Sequence, residues 1–249
     1  MRAVILAAGF GSRLGALGAA QAKGLLDVAG RPAIEFAVRA AEALPGVGGI
    51  DVVTNARFHD AFAGWAARRP SLKPLRLWND GARHAGERLG AIGDLRRWVA
   101  LARPREPVLV LGADNVFDFS LAPLAERARR EPAVALVDVG LPERVSRLAS
   151  VELDAEARIV GFVEKDPAPR DTWACSALYG LPASTLGELE RYAEAGGAPD
   201  NLGFFVEWLH RRHVVRGLRM EGRFADIGTP EEYERARALF GPDPDGSAG

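Results

Sequence analysis

The sequence has little cysteine, little net charge and no long apolar run. Cys175 is the single cysteine among 249 residues, so no disulfide can form within the chain and an oxidising compartment is not implied. The 32 basic and 33 acidic residues leave a formal net charge of −1, without the basic excess that a general nucleic-acid binder uses. No stretch approaches the roughly 18 apolar residues of a membrane span, and the apolar N-terminus is too short for a signal peptide. These absences predict a cytoplasmic globular protein with neither a nucleic-acid nor a membrane partner.

Lysine is also scarce. Of the 32 basic residues only Lys23, Lys73 and Lys165 are lysines. Codon bias explains an arginine-rich surface, but it does not explain why a particular lysine is kept. Because lysine is a compact charge on a flexible stem and arginine a rigid fork, the positions of the lysines carry information about ligands.

What the sequence has is a regular alternation of short apolar runs and amphipathic stretches. The apolar runs, rich in Val, Ile and Leu, predict buried strands: Ala3–Ala8, Ile50–Thr54, Leu75–Trp78, Val108–Leu111, Ala133–Val139, Cys175–Leu181 and a last one near Val214–Met220. Apolar residues three and four apart predict helices: Pro32–Leu44, Phe58–Arg68, Leu89–Ala102, Leu121–Arg130, Ala183–Ala195, Asn201–Arg211 and Pro230–Phe240.

This order predicts an α/β protein built from βαβ units. The segment Ser150–Glu164 alternates, turns at Asp154–Arg158 and returns, which predicts an antiparallel hairpin inserted into the pattern. We therefore expect a single-domain, Rossmann-like three-layer fold with a mostly parallel mixed sheet. The domain is predicted to cover residues 1–240, and the tail 241–249 is predicted to be disordered.

The most informative loop directly follows the first strand and reads Leu6-Ala7-Ala8-Gly9-Phe10-Gly11-Ser12-Arg13-Leu14. Gly9 and Gly11 let the backbone approach a bulky anion, and a loop leading into a helix can aim its N–H groups at phosphate oxygens. A tight turn without a ligand explains the same glycines. A dinucleotide fingerprint fits less well, because its third glycine is replaced by Leu14.

Lys23 follows Arg13 by ten residues, in Lys23-Gly24-Leu25-Leu26-Asp27-Val28. Together with the first loop and Gly30–Glu35, this spacing resembles the signature of the sugar-phosphate nucleotidyltransferase family. Ala22 stands where the family usually has proline before the lysine, and Asp27 stands where proline is common. The resemblance implies that Arg13 and Lys23 are catalytic, with Leu6, Ala8, Gly9, Gly11 and Ser12 binding the nucleotide.

Two later segments resemble metal-binding elements of that family. Leu111–Phe117 is similar to its G-D-N-x-F element, with Ala113 as an extra residue before Asp114. Phe224–Tyr233 is similar to its W-x-D-x-G-T-P-x-x-Y element and contains Asp226, with Thr229 as an expected helix N-cap. Mg²⁺ prefers one or two carboxylates with phosphate oxygens and water, so the resemblance implies Mg²⁺ as cofactor, held by Asp114 and Asp226. Helix capping explains either aspartate taken alone.

The hairpin closes with Val163-Glu164-Lys165-Asp166-Pro167, which resembles the family's E-K-P element for the sugar phosphate. Asp166 is an extra residue before the proline, so the backbone there is expected to differ. Glu164 and Lys165 are implied sugar-phosphate ligands, although adjacent opposite charges are also common on surfaces. Tyr179 and Trp173 are candidates for the sugar pocket, but aromatic residues beside a strand are usually core.

The nucleobase is expected near Arg88–Asp94, where the family has a glycine-containing turn. Gly90 would contact the base edge through its backbone, and Asn79 or Asp80 would read it by hydrogen bonds. An ordinary helix start accounts for these residues equally well.

The implied reaction joins a nucleoside triphosphate and a sugar 1-phosphate to form a nucleotide sugar and release pyrophosphate. Both reactants are anions, so charge neutralisation and alignment are the main requirements. Two alternatives stay open: a cytidylyl- or guanylyltransferase acting on a polyol or alcohol phosphate, and a non-catalytic relative that binds nucleotide sugars and regulates a partner. The base, the sugar, the pathway and the oligomeric state are not specified by the sequence.

Overall fold

A computed structural model describes residues 1–241 and shows short strands alternating with helices. The strands are β1 Arg2–Leu6, β2 Asp27–Val28, β3 Arg31–Pro32, β4 Gly49–Thr54, β5 Leu75–Asn79, β6 Val108–Gly112, β7 Asn115–Phe117, β8 Ala133–Asp138, β9 Ala149–Leu153, β10 Ile159–Glu164, β11 Trp173–Leu181, β12 Arg216–Arg219 and β13 Phe224–Asp226. The α-helices are α1 Ala16–Ala20, α2 Ile34–Glu42, α3 His59–Arg68, α4 Gly90–Ala102, α5 Ala122–Arg127, α6 Pro142–Val145, α7 Glu188–Glu194, α8 Leu202–Leu209 and α9 Pro230–Phe240.

The centre of the molecule is a parallel group of strands in the order β6-β1-β4-β5. β1 pairs in parallel with both β4 and β6, and β4 pairs in parallel with β5. All residues of β4 and β6 are buried, as expected for parallel strands covered on both faces. The carboxyl ends of β1 and β6 therefore lie side by side, and the loops that follow them share one edge of the sheet.

The long strand β11 makes the sheet mixed. It runs antiparallel to β6, to β8 and to the first strand of the β9–β10 hairpin. Parallel pairing resumes between β8 and β12, which completes a nine-stranded sheet within residues 1–241. The predicted α/β architecture, its mixed sheet and the hairpin are confirmed.

Alternating residues of the strands pack into two separate apolar cores, one on each face of the sheet. On one face, Ile5 and Ile50 pack with apolar residues of α2 and α3. On the other, Val4 and Val110 pack with apolar residues of α4, α7 and α8. The result is the expected three-layer arrangement, because each strand has a period of two and each helix buries one face.

Several element boundaries differ from those predicted. Pro32 belongs to β3 rather than to the first turn of α2, which begins at Ile34. The segment predicted as one helix over Ala183–Ala195 divides into a 3₁₀ turn and α7. Pro230–Phe240 forms the predicted helix, and its predicted cap is confirmed since the Thr229 hydroxyl accepts a hydrogen bond from the Glu232 N–H.

A small antiparallel ribbon of β7 and β13 lies outside the main sheet. A third apolar core, which includes Leu14, Ile227 and Tyr233, joins this ribbon to the first loop and to α9. Within residues 1–241, none of the helices combines the length and the apolar character that a membrane-spanning helix requires. The tail predicted to be disordered, 241–249, lies outside the described residues except for Gly241.

Candidate functional site

The loop after β1 is held at the carboxyl edge of the parallel strands by two hydrogen bonds. The Ala7 N–H donates to the Val53 carbonyl at 2.8 Å, which extends the ladder beyond β1. The buried Asn55 side chain donates to the Ala8 carbonyl, also at 2.8 Å. These two bonds fix the end of β1 and therefore the position of the Gly9 backbone. A Cβ added to Gly9 would meet nothing within 4 Å, so there is open space beside this residue.

Further along, this loop folds tightly against α1. Gly11 has φ +65°, a conformation that glycine adopts without steric cost. A Cβ added to Gly18 would lie 2.1 Å from the Gly11 carbonyl oxygen, so only glycine permits this approach. The contact turns the chain into the 3₁₀ segment Ser12–Leu14, in which Leu14 is buried and the Arg13 side chain is exposed.

The β7–β13 ribbon brings together two acidic residues that are far apart in the chain. Asp226 is the direct partner of Asn115 in the ribbon, and the Ile227 N–H donates to the carbonyl of Asp114 at 3.0 Å. The Asn115 amide donates to Asp226 Oδ1 at 2.9 Å and thereby orients that carboxylate. Asp114 and Asp226 are thus neighbours across a two-stranded ladder, as their predicted common role requires.

Two cationic side chains lie against these carboxylates. Lys23 Nζ is 3.1 Å from Asp114 Oδ2. Burial lowers the pKa of Lys23, but the charges of Asp114 and Asp226 outweigh it, so the pKa is raised and the ammonium stays charged. Arg13 lies near Asp226: a Cβ on Gly228 would lie 3.3 Å from Asp226 Oδ2 and 3.4 Å from Arg13 Nη2. We call Arg13, Lys23, Asp114 and Asp226 the charged cluster.

The electrostatics of the cluster favour an added cation. Removal from water and the nearby charge of Asp114 together raise the pKa of Asp226 to about 7. Residues 1–241 contain no group of three or more His, Cys, Asp or Glu side chains that could hold a metal. Two carboxylates are the number that Mg²⁺ commonly takes from a protein when substrate phosphates and water supply the other oxygens. The donor set therefore fits Mg²⁺ bound together with a phosphorylated ligand.

A cavity of about 270 Å³ opens between the first loop, the start of α4 and β11. Six of the residues predicted for the site line it: Leu6, Ala8, Gly9, Gly90, Asp114 and Tyr179. Through Asp114 the cavity is continuous with the charged cluster. A pocket at the carboxyl ends of parallel strands, beside a glycine-containing loop, is where α/β proteins of this kind bind ligands.

The remaining predicted residues do not line this cavity. Gly11 and Ser12 serve the turn described above. The exposed Asn79 accepts the Gly81 N–H with its side-chain oxygen at 2.8 Å and lies outside the cavity lining. Asp80, the other residue predicted to hydrogen-bond the base, is buried.

Glu164 lies beneath the start of α8. Its Oε1 accepts a hydrogen bond from the Asn201 amide at 2.5 Å, and a Cβ on Gly203 would lie 1.7 Å from its Oε2. Burial raises the pKa of Glu164 to about 7, with Lys165 opposing and Glu207 reinforcing the shift. The carboxyl group is therefore fixed in place and poised between its charged and neutral forms near neutral pH.

The neighbouring predicted ligands differ in exposure. Tyr179 is buried, and burial raises its pKa, so its hydroxyl remains protonated. Lys165 is exposed and has φ +55°. Its backbone N–H donates to the Leu148 carbonyl at 2.6 Å.

Sequence reasoning missed four polar residues that organise the site. Asn55 holds the first loop, Asn115 orients Asp226, Asn201 holds Glu164 and caps α8, and Asp94 lines the cavity. Asn115 was detectable, since it directly follows Asp114 before a short apolar run. Asn55 and Asn201 act through tertiary contacts that no local pattern encodes.

The fold and site together define a class, that of Rossmann-like α/β proteins with a ligand site at the carboxyl edge of the parallel strands. Within this class a sequence model described as "Nucleotidyl transferase" matches residues 2–240. The chain belongs to the nucleotidyl transferase family.

The individual relatives share less than a third of their residues with this chain over the matched regions. The chain is similar to the valienol-1-phosphate guanylyltransferase of Streptomyces hygroscopicus subsp. limoneus, with 29% identity over 145 residues that are 55% of this chain and 38% of the relative. It is also similar to the bifunctional protein GlmU of Methanocaldococcus jannaschii, with 24% identity over 92% of this chain and 52% of the relative. The chain thus spans about half or less of the length of these curated relatives.

A solved structure shows the same fold. It is described as a glucose-1-phosphate thymidylyltransferase from Bacillus anthracis in complex with a sucrose. The TM-score is 0.79 at 22% identity, and the match covers 96% of this chain and 94% of that one. The Rossmann-like architecture is therefore shared along nearly the whole length of both chains.

Proposed function

We propose that this chain transfers a nucleotidyl group from a nucleoside triphosphate to a sugar 1-phosphate or a sugar-like phosphate, with release of pyrophosphate. The observation that supports this function best is the charged cluster, in which Arg13 and Lys23 flank two converging carboxylates at the mouth of the cavity. The acceptors named for two of the similar proteins, valienol 1-phosphate and glucose 1-phosphate, agree with an acceptor of this type.

In this proposal residues 1–240 form one nucleotidyltransferase domain that acts in the cytoplasm. The triphosphate lies along the backbone of Ala8–Ser12, where Gly9 leaves space for it. Lys23 is placed to contact the α-phosphate, since its ammonium is already held toward the cavity by Asp114. Arg13, which lies near Asp226, is assigned to neutralise the transferring phosphates.

Mg²⁺, held by Asp114 and Asp226, would supply positive charge to the phosphate oxygens. The side chains of the cluster do the remaining work by aligning two anionic reactants and offsetting their repulsion. Preorganised charges of this type need no reorganisation when the reaction occurs. No general base is required, because a phosphate monoester has a second pKa of about 6 and its attacking oxygen is ionised at neutral pH.

The acceptor is assigned to the β11 and α8 side of the cavity. Glu164 and the hydroxyl of Tyr179 are suited to the hydroxyl groups of a sugar-like ring, and Lys165 to its phosphate. The polarity of this end supports a polyhydroxylated acceptor: the cavity is lined there by Tyr179 and Asn201, and Asn201 is hydrogen-bonded to Glu164.

The test is a pyrophosphate-release assay that crosses GTP, ATP, CTP, UTP and dTTP with several sugar 1-phosphates and several polyol or alcohol phosphates, with and without Mg²⁺, together with a measurement of nucleotide-sugar binding to the same chain. We expect release that depends on both a sugar 1-phosphate and Mg²⁺. Release with polyol or alcohol phosphates alone would support the alternative acceptor class. Nucleotide-sugar binding without any release would overturn the catalytic proposal in favour of a regulatory relative.

A further inference from the structure

The wall of the cavity that α4 contributes contains a buried acid that no role described above uses. Asp94 lies one turn into α4, lines the cavity and is only 6% exposed. Its Oδ1 atom is closed off from solvent and accepts no hydrogen bond from any donor in residues 1–241. A buried polar atom without a partner costs about 1–3 kcal/mol, so its retention points to a partner that arrives with a ligand.

The immediate surroundings of Asp94 are acidic. Its carboxyl group contacts that of Asp80, and burial together with the charge of Asp80 raises the pKa of Asp94 to about 8, while Arg97 opposes the shift. Asp80 in turn accepts the Ala82 N–H at 2.7 Å. The carboxyl groups of Asp80 and Asp94 share one proton, which is used in the hydrogen bond between them. Their remaining oxygens can only accept hydrogen bonds.

Several donors near Asp94 are already used. The Ala91 and Ile92 N–H groups of the first turn of α4 donate to the carbonyls of Asp200 and Pro199 at 3.3 and 3.0 Å. Arg88, which also lines the cavity, donates to Asp200 Oδ1 and to the Ala85 carbonyl and keeps further N–H groups for other contacts. At Asp94 itself the α4 wall therefore offers an acceptor to a ligand.

This wall is also the part of the cavity suited to a nucleobase. The charged cluster attracts phosphates, whereas the acidic pair of Asp80 and Asp94 does not. The acceptor side is formed by Tyr179, Asn201 and Leu202 and meets the start of α4 at Pro199 and Asp200. Under the proposed function, the α4 wall is the part left for the base. The other ionisable side chains that line the same cavity are Arg88, Asp114, Tyr179 and Asp200.

We propose that Asp94 reads the nucleobase by accepting a hydrogen bond from its exocyclic amino group, so that the enzyme selects GTP, ATP or CTP over UTP and dTTP. Guanine, adenine and cytosine each carry an amino donor, whereas thymine and uracil present carbonyl oxygens on both sides of their one ring N–H. Placed at Oδ1 of Asp94, such an oxygen would oppose one acceptor with another. This inference rests on the proposed function and specifies its nucleotide class.

The test measures equilibrium binding of GTP, ATP, CTP, UTP and dTTP to the full chain in the absence of an acceptor. We expect at least one amino-bearing nucleotide to bind about 10–100-fold more tightly than UTP and dTTP, the range of one good base contact. Asp94→Ala should reduce that ratio toward one. Asp80→Asn, which keeps the acceptor oxygen of Asp94, should preserve the order of the nucleotides, as should Asp60→Asn on the exposed side of α3.

Two outcomes overturn the inference: UTP or dTTP binding as well as every amino-bearing nucleotide, or an unchanged ratio in Asp94→Ala. A loss of affinity for all five nucleotides by the same factor would indicate a structural role and also overturn it. If Asp94→Ala fails to fold, the order measured with the natural chain still decides. Failure of the proposed function is separate, since it appears as no pyrophosphate release with any pair of substrates.

Discussion

The two ends of the cavity are built in different ways. At the end formed by the loops after β1 and β6, internal contacts hold the charged cluster: Lys23 is paired with Asp114, and Asp226 is oriented by Asn115. At the β11 and α8 end, Glu164 is fixed by Asn201, whereas Lys165 is exposed. The comparison teaches that the end assigned to the triphosphate in the proposed function is held by contacts between its own side chains, whereas the end assigned to the acceptor keeps one exposed charge.

The largest effect on activity is expected from a substitution in the charged cluster. Arg13→Ala removes a cation that the transition state needs, so kcat/KM should fall by about 10³–10⁵, as for an arginine finger. Pyrophosphate release measures the loss, and thermal unfolding should be nearly unchanged because the side chain is exposed. Arg130→Ala, at another exposed arginine, is the matched control. Near-normal turnover in Arg13→Ala would show that the two ends do not differ as described.

A smaller but still large loss is expected from Asp226→Asn. The amide keeps the shape of the side chain and its contact with Asn115, but it removes one of the two negative charges. Loss of one preorganised electrostatic group costs about 10²–10³ in kcat. The informative measurement is a Mg²⁺ titration of activity, whose midpoint should move to higher concentration. An unchanged midpoint would remove Asp226 from the cation site.

The smallest effect is expected at the acceptor end, in the pH dependence of stability. Glu164 has an ordinary pKa of 4.5 and a folded pKa of about 7. Between these values the folded chain keeps a proton that the unfolded chain loses, so wild-type stability should fall as pH rises through this window. Glu164→Gln keeps an oxygen for Asn201 but cannot ionise, and it should remove this part of the fall.

Thermal unfolding at pH 5 and pH 8 provides the measurement for Glu164→Gln. At pH 8, each kcal/mol by which the free energy of unfolding of Glu164→Gln exceeds that of wild type should raise Tm by about 2–4 °C in a chain of this size. Glu231→Gln, at an exposed glutamate on α9, is the control and should follow wild type. If Glu164→Gln and wild type gave parallel curves, the acceptor end would not contain a poised carboxyl group.

The difference between the two ends also explains what the sequence could predict. The first loop, Lys23, Asp114 and Asp226 lie in short segments whose spacing is local, and the pairing of buried runs by βαβ rules places their strand ends together. The hairpin and α9 were predictable for the same reason, since their patterns and the Thr229 cap are contained in a few residues.

Features that depend on contacts between distant segments were not predictable. β7 and β13 have three residues each, too few for a periodic signal, although their pairing decides where Asp226 lies. Pro32 was misplaced because its preference for a first helical turn was outweighed by the β2–β3 pairing. Asp80 and Asp94 meet only when α4 packs beside the end of β5, and the acceptor-rich wall they form has no sequence signature.

The β7–β13 ribbon also has a consequence for the order in which the protein matures. A ribosome releases β1, Lys23 and Asp114 long before β13, and the strands β6, β1, β4 and β5 can already associate at that stage. The second carboxylate takes its place only when β13 has emerged and paired with a strand made about a hundred residues earlier. Synthesis therefore keeps the two carboxylates apart until β13 is made.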